Sequence, residues 1–236
     1  MNNPQNNISF LIPIYNEENR VKYILKLYDN LHKMFNDSFE IICILNGCTD
    51  KTFEVLSKII NKRNIKIIFL PKKSRGSAVK KGISVSNSKF IAISSVDNAW
   101  NISFYKIAYE LLLNNSDLCI IYGPKTHSSS RVNRPKIRII ISFLCSIYLK
   151  ILFGKLFTED TQCIKMFKRE SIIFLNKLSN ANYFSEAEFY FLSKKFKIKS
   201  KSIQVDVSDS KKYLKPSLMI GFIFDAFIFR IKLLFY

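Results

Sequence analysis

The sequence predicts an α/β fold, a mostly parallel central sheet flanked by helices. Three observations predict it. Apolar runs of strand length alternate with segments of helical spacing along residues 8–123. The connections between them are short, which suits repeated strand–helix–strand units. Hydrophobic residues make up 48% of the 236, enough to bury a full core.

Taken in order, the first apolar run covers residues 8–12 and is closed by Pro13. Val21, Ile24, Leu25, Tyr28 and Leu31 then fall at helical spacing. The second run, 39–45, ends at Asn46-Gly47, a turn dipeptide. Phe53, Leu56, Ile59 and Ile60 return to the helical period, and a third run, 65–70, stops at Pro71. Residues 78–85 suit a short helix, 90–93 form a fourth run, 102–113 are helical in pattern, and 118–122 form a fifth run. After residue 123 the texture changes: 126–138 is polar and basic, and two apolar helices then flank a polar segment. No internal repeat interrupts this order.

Composition narrows the function classes. With 37 Lys and Arg against 18 Asp and Glu the formal charge is +19, which suits an anionic membrane surface or nucleic acid. No helix-turn-helix, RRM or zinc signature accompanies that charge, so a nucleic-acid-binding protein rests on charge alone and nucleic acid is not expected as a partner. The 5 cysteines form no CxxC pair and are expected as reduced thiols. Residues 1–7 are polar, so no signal peptide is expected. The apolar stretches 139–149 and 218–229 fall short of the roughly 20 residues a membrane span needs, and both carry flanking cations. A cytoplasmic protein peripherally attached to a membrane face is expected. Residues 213–236, rich in Phe and Ile with Lys215, Arg230 and Lys232, are expected to form an amphipathic membrane-surface helix or hairpin; a core or dimer helix is the competing reading.

In an open parallel sheet, ligands bind outside the carboxyl ends of the strands. The first run leads into Pro13-Ile14-Tyr15-Asn16-Glu17-Glu18, and the second into Asn46-Gly47-Cys48-Thr49-Asp50. The third leads into Lys72-Lys73-Ser74-Arg75-Gly76, and the fourth into Ser94-Ser95-Val96-Asp97. Together these offer acids and an amide to a sugar or base, cations and a glycine to phosphates, and a carboxylate to a metal. Each cluster also has a plain structural reading. Glu17 and Glu18 suit a helix N-terminus, Asn46-Gly47 an ordinary turn, and Asp50 a helix cap. Their recurrence at four consecutive strand ends favours a site.

These motifs, with Arg75-Gly76-Ser77-Ala78-Val79-Lys80-Lys81-Gly82 and Val96-Asp97, resemble the ordered motifs of family 2 glycosyltransferases, which have the GT-A fold. Gly123-Pro124-Lys125-Thr126-His127, Arg131, Arg134, Arg138 and Asp160-Thr161-Gln162-Cys163-Ile164-Lys165-Met166-Phe167 resemble the dolichyl-phosphate glucosyltransferase and dolichol-phosphate mannose synthase branch. The resemblance covers roughly residues 8–215. It implies one glycosyltransferase domain over 1–212, with a nucleotide-binding half at about 8–123 and an acceptor half at about 124–212, followed by a membrane-associated segment at 213–236.

By that resemblance, Pro13, Tyr15, Glu17 and Asn46 would line the base and ribose of a UDP- or GDP-linked sugar. Arg75 and Gly76 would approach the diphosphate. Asp97 would hold Mg²⁺ or Mn²⁺, and Asp160 and Gln162 would face the donor sugar and acceptor. Where the family has Asp-x-Asp this chain has Ser95-Val96-Asp97, so the metal is expected to bind weakly. Near Phe184, Glu186-Ala187-Glu188 stands where the family shows Asp-x-Glu, which makes Glu188, with Glu186, a reserve for catalysis. Lys125, Arg131, Arg134, Lys136 and Arg138 would bind an acceptor phosphate, or are a solvated charge run. The acceptor implied is a polyprenyl phosphate; a glycan or lipid-linked oligosaccharide hydroxyl, in which Asp160 takes the proton, is the alternative. A non-catalytic relative is a further alternative raised by Ser95.

Overall fold

The computed structural model describes residues 7–60, 63–96, 101–133, 135–154, 157, 160, 163–179, 181–208 and 216–235. The chain begins with β1 (Ile8–Ile14), α1 (Tyr23–Phe35), β2 (Phe39–Asn46), α2 (Thr52–Ile59) and β3 (Ile65–Leu70). It continues through α3 (Arg75–Val85), β4 (Phe90–Ile93), α4 (Ser103–Asn114), β5 (Ile120–Gly123) and β6 (Arg131–Asn133). There follow α5 (Lys136–Phe153), β7 (Ile164–Lys168), α6 (Ser185–Lys195), β8 (Ser200–Ser202), β9 (Asp206–Ser208) and α7 (Pro216–Lys232).

Seven strands form one sheet in the order β3-β2-β1-β4-β7-β5-β8. Every neighbouring pair is parallel except those made by β7, which runs antiparallel to both β4 and β5. Six strands therefore point one way, as expected. Their runs are apolar on both faces because helices cover both. On one face Phe10, Ile12, Ile41 and Cys43 meet α1, α2 and α4. On the other, Leu11, Ile42, Ile44 and Tyr122 meet α3, α5, α6 and α7. Phe10 is fully buried and packs edge-on to Tyr105 at 4.9 Å between ring centroids, which seats α4 on β1. At the far end of the sheet the Ser9 hydroxyl donates to Glu40 at 2.6 Å, and Lys66 pairs with the same carboxylate at 2.7 Å.

The stretch between α5 and α7 differs from the expectation of a polar segment flanked by apolar helices. The segment contains β7 and α6. β7 reads Ile-Lys-Met-Phe-Lys, and its cations disguise a strand whose residues are all buried. Residues 185–193 of α6 are buried on every side, so the helix carries no apolar stripe for periodicity to detect. The C-terminal segment forms one helix, α7, rather than a hairpin. Phe222, Ala226 and Phe229 on its inner face enter the second core beside Phe153, Phe184 and Phe191. Among the described residues, no helix is long and apolar enough to cross a membrane.

Candidate active site

The carboxyl ends of β1 to β5 and the start of β7 share one edge of the sheet, as the pairing of Gly123 with Ile164 requires. The loops after β1 and β2 are knitted together there. Asn16 adopts a left-handed φ of 49°, which its side chain tolerates. Its carbonyl oxygen accepts the Thr49 N–H at 2.9 Å, and its amide donates to the Thr49 hydroxyl at 3.1 Å. The Glu17 N–H donates to the Thr52 hydroxyl at 2.8 Å, and the Glu18 N–H to Asp50 at 3.2 Å. Asp50 also accepts the Thr52 N–H at 3.1 Å, in the turn that leads into α2. Burial raises the Asp50 carboxyl, but the bonds from Thr52 and Glu18 outweigh it and leave it below its ordinary range. Glu17 is gripped by the Arg20 guanidinium. Tyr15 projects beyond Pro13 at 38% exposure, with the Lys73 ammonium 4.2 Å from its ring centre.

Asn46 ends β2 fully inside the protein, and its side-chain oxygen accepts the Ser74 N–H at 2.7 Å. Ser74 in turn caps α3 by accepting the Ser77 N–H at 3.0 Å. The chain leaves Asn46 through Gly47. Its φ is 69°, and a Cβ there would lie 2.6 Å from the Lys73 nitrogen, so only glycine fits. One amide thus ties the end of β2 to the residue that caps α3, where Arg75 and Gly76 stand. Gly76 is used by the protein itself. Its N–H donates to the Ala181 carbonyl at 2.9 Å, and a Cβ would meet the Ala181 and Ser179 oxygens at 2.7 Å.

Arg75 reaches Glu186 of α6 with two nitrogens, at 2.9 and 2.7 Å. Glu186 also holds Lys165 of β7, which is fully buried. Burial would raise the Glu186 carboxyl, yet the charges of Lys165 and then Arg75 bring it down to about 2. Among the described residues, two cations, Arg75 and Lys165, share this one carboxylate. Beside it the Cys163 thiol is pushed up to about 12 by burial, and it feels the charges of Lys165, Asp160, Glu186 and Lys125. Lys125, just past β5, pairs with Asp160 at 3.6 Å.

The structure therefore sets Pro13, Tyr15, Glu17, Asn46, Arg75 and Gly76 along one edge, with Lys125 and Asp160 around the same buried charge cluster as Glu186. Arg131 lies on β6, tethered by its N–H to Val205 at 3.0 Å, and Arg138 lies in the first turn of α5. Asp97, Arg134, Gln162 and Lys215 lie outside the described residues. Glu188 does not join the cluster. It is buried and accepts both the N–H and the hydroxyl of Ser179, at 2.7 and 2.6 Å. Its carboxyl is raised by burial. Lys165 is the member of the cluster to which the sequence assigns no role, although it stands within the branch-like stretch 160–167. Among the described residues, no three or more His, Cys, Asp or Glu side chains gather as a metal site.

A sequence profile for "Glycosyl transferase family 2" matches residues 9–174. A dolichyl-phosphate beta-glucosyltransferase of Dictyostelium discoideum is 30% identical over 189 residues, covering 72% of this chain and 57% of that protein. One of Trichomonas vaginalis is 27% identical over 218 residues, covering 86% of this chain and 66% of that protein. The chain thus spans less than two thirds of either relative's length. Glucosyl-3-phosphoglycerate synthase of Mycobacterium tuberculosis, crystallised with Mn²⁺, UDP and phosphoglyceric acid, superposes with a TM-score of 0.68 at 14% identity. That match covers 95% of this chain and 78% of the crystallised one, and shows a shared fold. The same synthase has been crystallised with Mg²⁺ and UDP.

Proposed function

We propose that this chain, which belongs to glycosyl transferase family 2 and has the GT-A fold, moves a hexose from a nucleoside-diphosphate sugar to a polyprenyl-phosphate-type lipid. The observation that carries the reading is the charge arrangement at the start of α3. Arg75, poised on a fully ionised Glu186 beside buried Lys165, presents positive charge where the loops after β1 and β2 converge. The names of the relatives, dolichyl-phosphate beta-glucosyltransferases, support the donor and acceptor classes.

In this reading Tyr15, Glu17 and the loop set by Asn46 receive the base and ribose. Arg75 and Lys73 face the diphosphate. As the bond from the sugar C1 to the diphosphate breaks, its electron pair passes to the leaving group, and these cations stabilise the growing charge. A lipid-phosphate oxygen attacks C1 from the opposite face and inverts it. That oxygen arrives already ionised and needs no general base. Glu186, with its carboxyl at about 2, does not take a proton at neutral pH. A divalent ion would be held by Asp97 and the diphosphate oxygens, a hard-oxygen set suited to Mg²⁺ or Mn²⁺, and would add positive charge there. Lys125, Arg131, Arg134 and Arg138 would receive the acceptor phosphate, with Asp160 and Gln162 beside the transferred sugar.

The acceptor lies in a membrane, and the outer faces of α5 and α7 supply a seat for the protein there. Ile140, Phe143, Leu144 and Ile151 of α5 are exposed, as are Ile220, Phe224 and Phe227 of α7. The two helices pack together, and the Tyr148 hydroxyl donates to the Ile223 carbonyl at 2.9 Å. Apolar surface of this extent beside Lys136, Lys150 and Lys232 matches an anionic bilayer interface. The test is transfer itself. Incubation with UDP- and GDP-hexoses and a polyprenyl phosphate is expected to give a hexosyl-phosphate lipid by mass spectrometry. Transfer is expected to be lost in Asp97→Ala and Arg75→Ala with folding intact.

A further inference from the structure

One acid, Asp225, interrupts the apolar sequence of α7. A carboxylate on such a helix is costly unless it is hydrogen-bonded. Asp225 accepts two backbone N–H groups, from Asn182 at 3.1 Å and Tyr183 at 2.9 Å. Those residues form a short strap, 181–183, that touches the start of α3 in three ways. The Asn182 side-chain oxygen accepts the Arg75 N–H at 3.3 Å. The Ala181 carbonyl accepts the Gly76 N–H at 2.9 Å. The Tyr183 ring lies 5.5 Å from the Lys73 ammonium, the same ammonium that covers Tyr15. The strap is pressed onto α7 from the other side, where the Tyr183 ring occupies the space beside Gly221 that a Cβ would fill.

We infer that Asp225 is a positioning residue for the donor diphosphate. Held by Asp225, the strap fixes Arg75 and Lys73 in the orientation that meets the diphosphate, and the seating of α7 is thereby coupled to donor affinity. This rests on the glycosyltransferase reading above. Asp225 touches neither donor nor acceptor in that reading. Its effect travels through hydrogen bonds that an amide oxygen can also accept, so Asn is expected to replace it and Ala is not.

The experiment uses the full chain and titrates UDP and GDP, each with Mg²⁺, by calorimetry. Steady-state transfer kinetics with the matching sugar nucleotide run in parallel. Asp225→Ala is expected to weaken nucleoside-diphosphate binding about tenfold and raise the donor KM equally, with kcat within about twofold of wild type. Asp225→Asn is expected within about threefold of wild type on both measures. Asn182→Ala, which leaves α7 untouched, is expected to weaken binding about threefold, and to add little to Asp225→Ala because the two act in one chain of contacts. Asp225→Ala binding as tightly as wild type, with unchanged circular dichroism, would overturn the inference and leave the glycosyltransferase reading standing. So would an Asn variant as weak as the Ala variant. Should the Ala variant not fold, full-strength binding by Asn182→Ala overturns the inference. A wild-type chain that binds neither UDP nor GDP removes the underlying reading and this one with it.

Discussion

Glu186 binds two cations at once. It neutralises Lys165, whose ammonium is buried inside the sheet, and orients Arg75. Glu186→Gln leaves that ammonium without its counter-charge, and is expected to cost about 3–5 kcal/mol in urea unfolding. Adding Lys165→Met should recover much of the loss, because a buried pair replaced by apolar atoms is often nearly neutral. The pH dependence has a definite sign. The folded carboxyl sits at about 2 against an ordinary 4.5, so its contribution is full above the ordinary value and drains away as pH falls toward about 2. Acid unfolding should therefore be steeper in wild type than in Glu186→Gln when urea midpoints are compared across that window. Gly47→Ala, at φ 69°, is expected to cost about 1–3 kcal/mol by thermal melting and to weaken donor binding, since the displaced backbone is that of Lys73.

Elements differ in how far the sequence reveals them. The five strands up to residue 123 are legible because each is a compact apolar run, but Pro13 does not close the first: β1 runs through it to Ile14, pairing Pro13 with Ile44 of β2. Apolar spacing starts α3 later than the helix begins, because its first turn is set by Ser74 and Asn46. β7 and α6 are hidden for opposite reasons, one interrupted by buried cations and the other buried on all sides. Asp225 is visible only as a break in an apolar helix; its partners, 42 and 43 residues away, cannot be read from spacing. The amphipathic character of α5 and α7 is legible, and it gives a prediction at this scale. Phe143 and Phe224 are each 63% exposed. Replacing both by Ser should leave stability within about 0.5 kcal/mol of wild type, yet reduce co-sedimentation with vesicles containing phosphatidylglycerol. Equal co-sedimentation of variant and wild type would remove the membrane seat from the account.

At the scale of the molecule, a doubly covered sheet gathers residues from far apart in sequence onto one edge. The resemblance to family 2 glycosyltransferases is carried by those strand ends, and the matched profile, residues 9–174, spans the same stretch. In the proposed function the sheet provides rigidity, the loops after β1, β2 and β3 receive the donor, and α5 and α7 approach the lipid. A formal charge of +19 adds a long-range attraction to anionic membranes and to a diphosphate donor alike, one that salt should weaken. In the proposed function this edge binds an activated hexose and passes it to a lipid phosphate. The most direct measurement is transfer from radiolabelled UDP- and GDP-hexoses to polyprenyl phosphate in vesicles, comparing wild type with Arg75→Ala. A labelled lipid is expected with one of the donors, with a loss of at least about tenfold in the variant. A wild-type protein that labels no lipid, or a variant that labels it equally well, would contradict the claim.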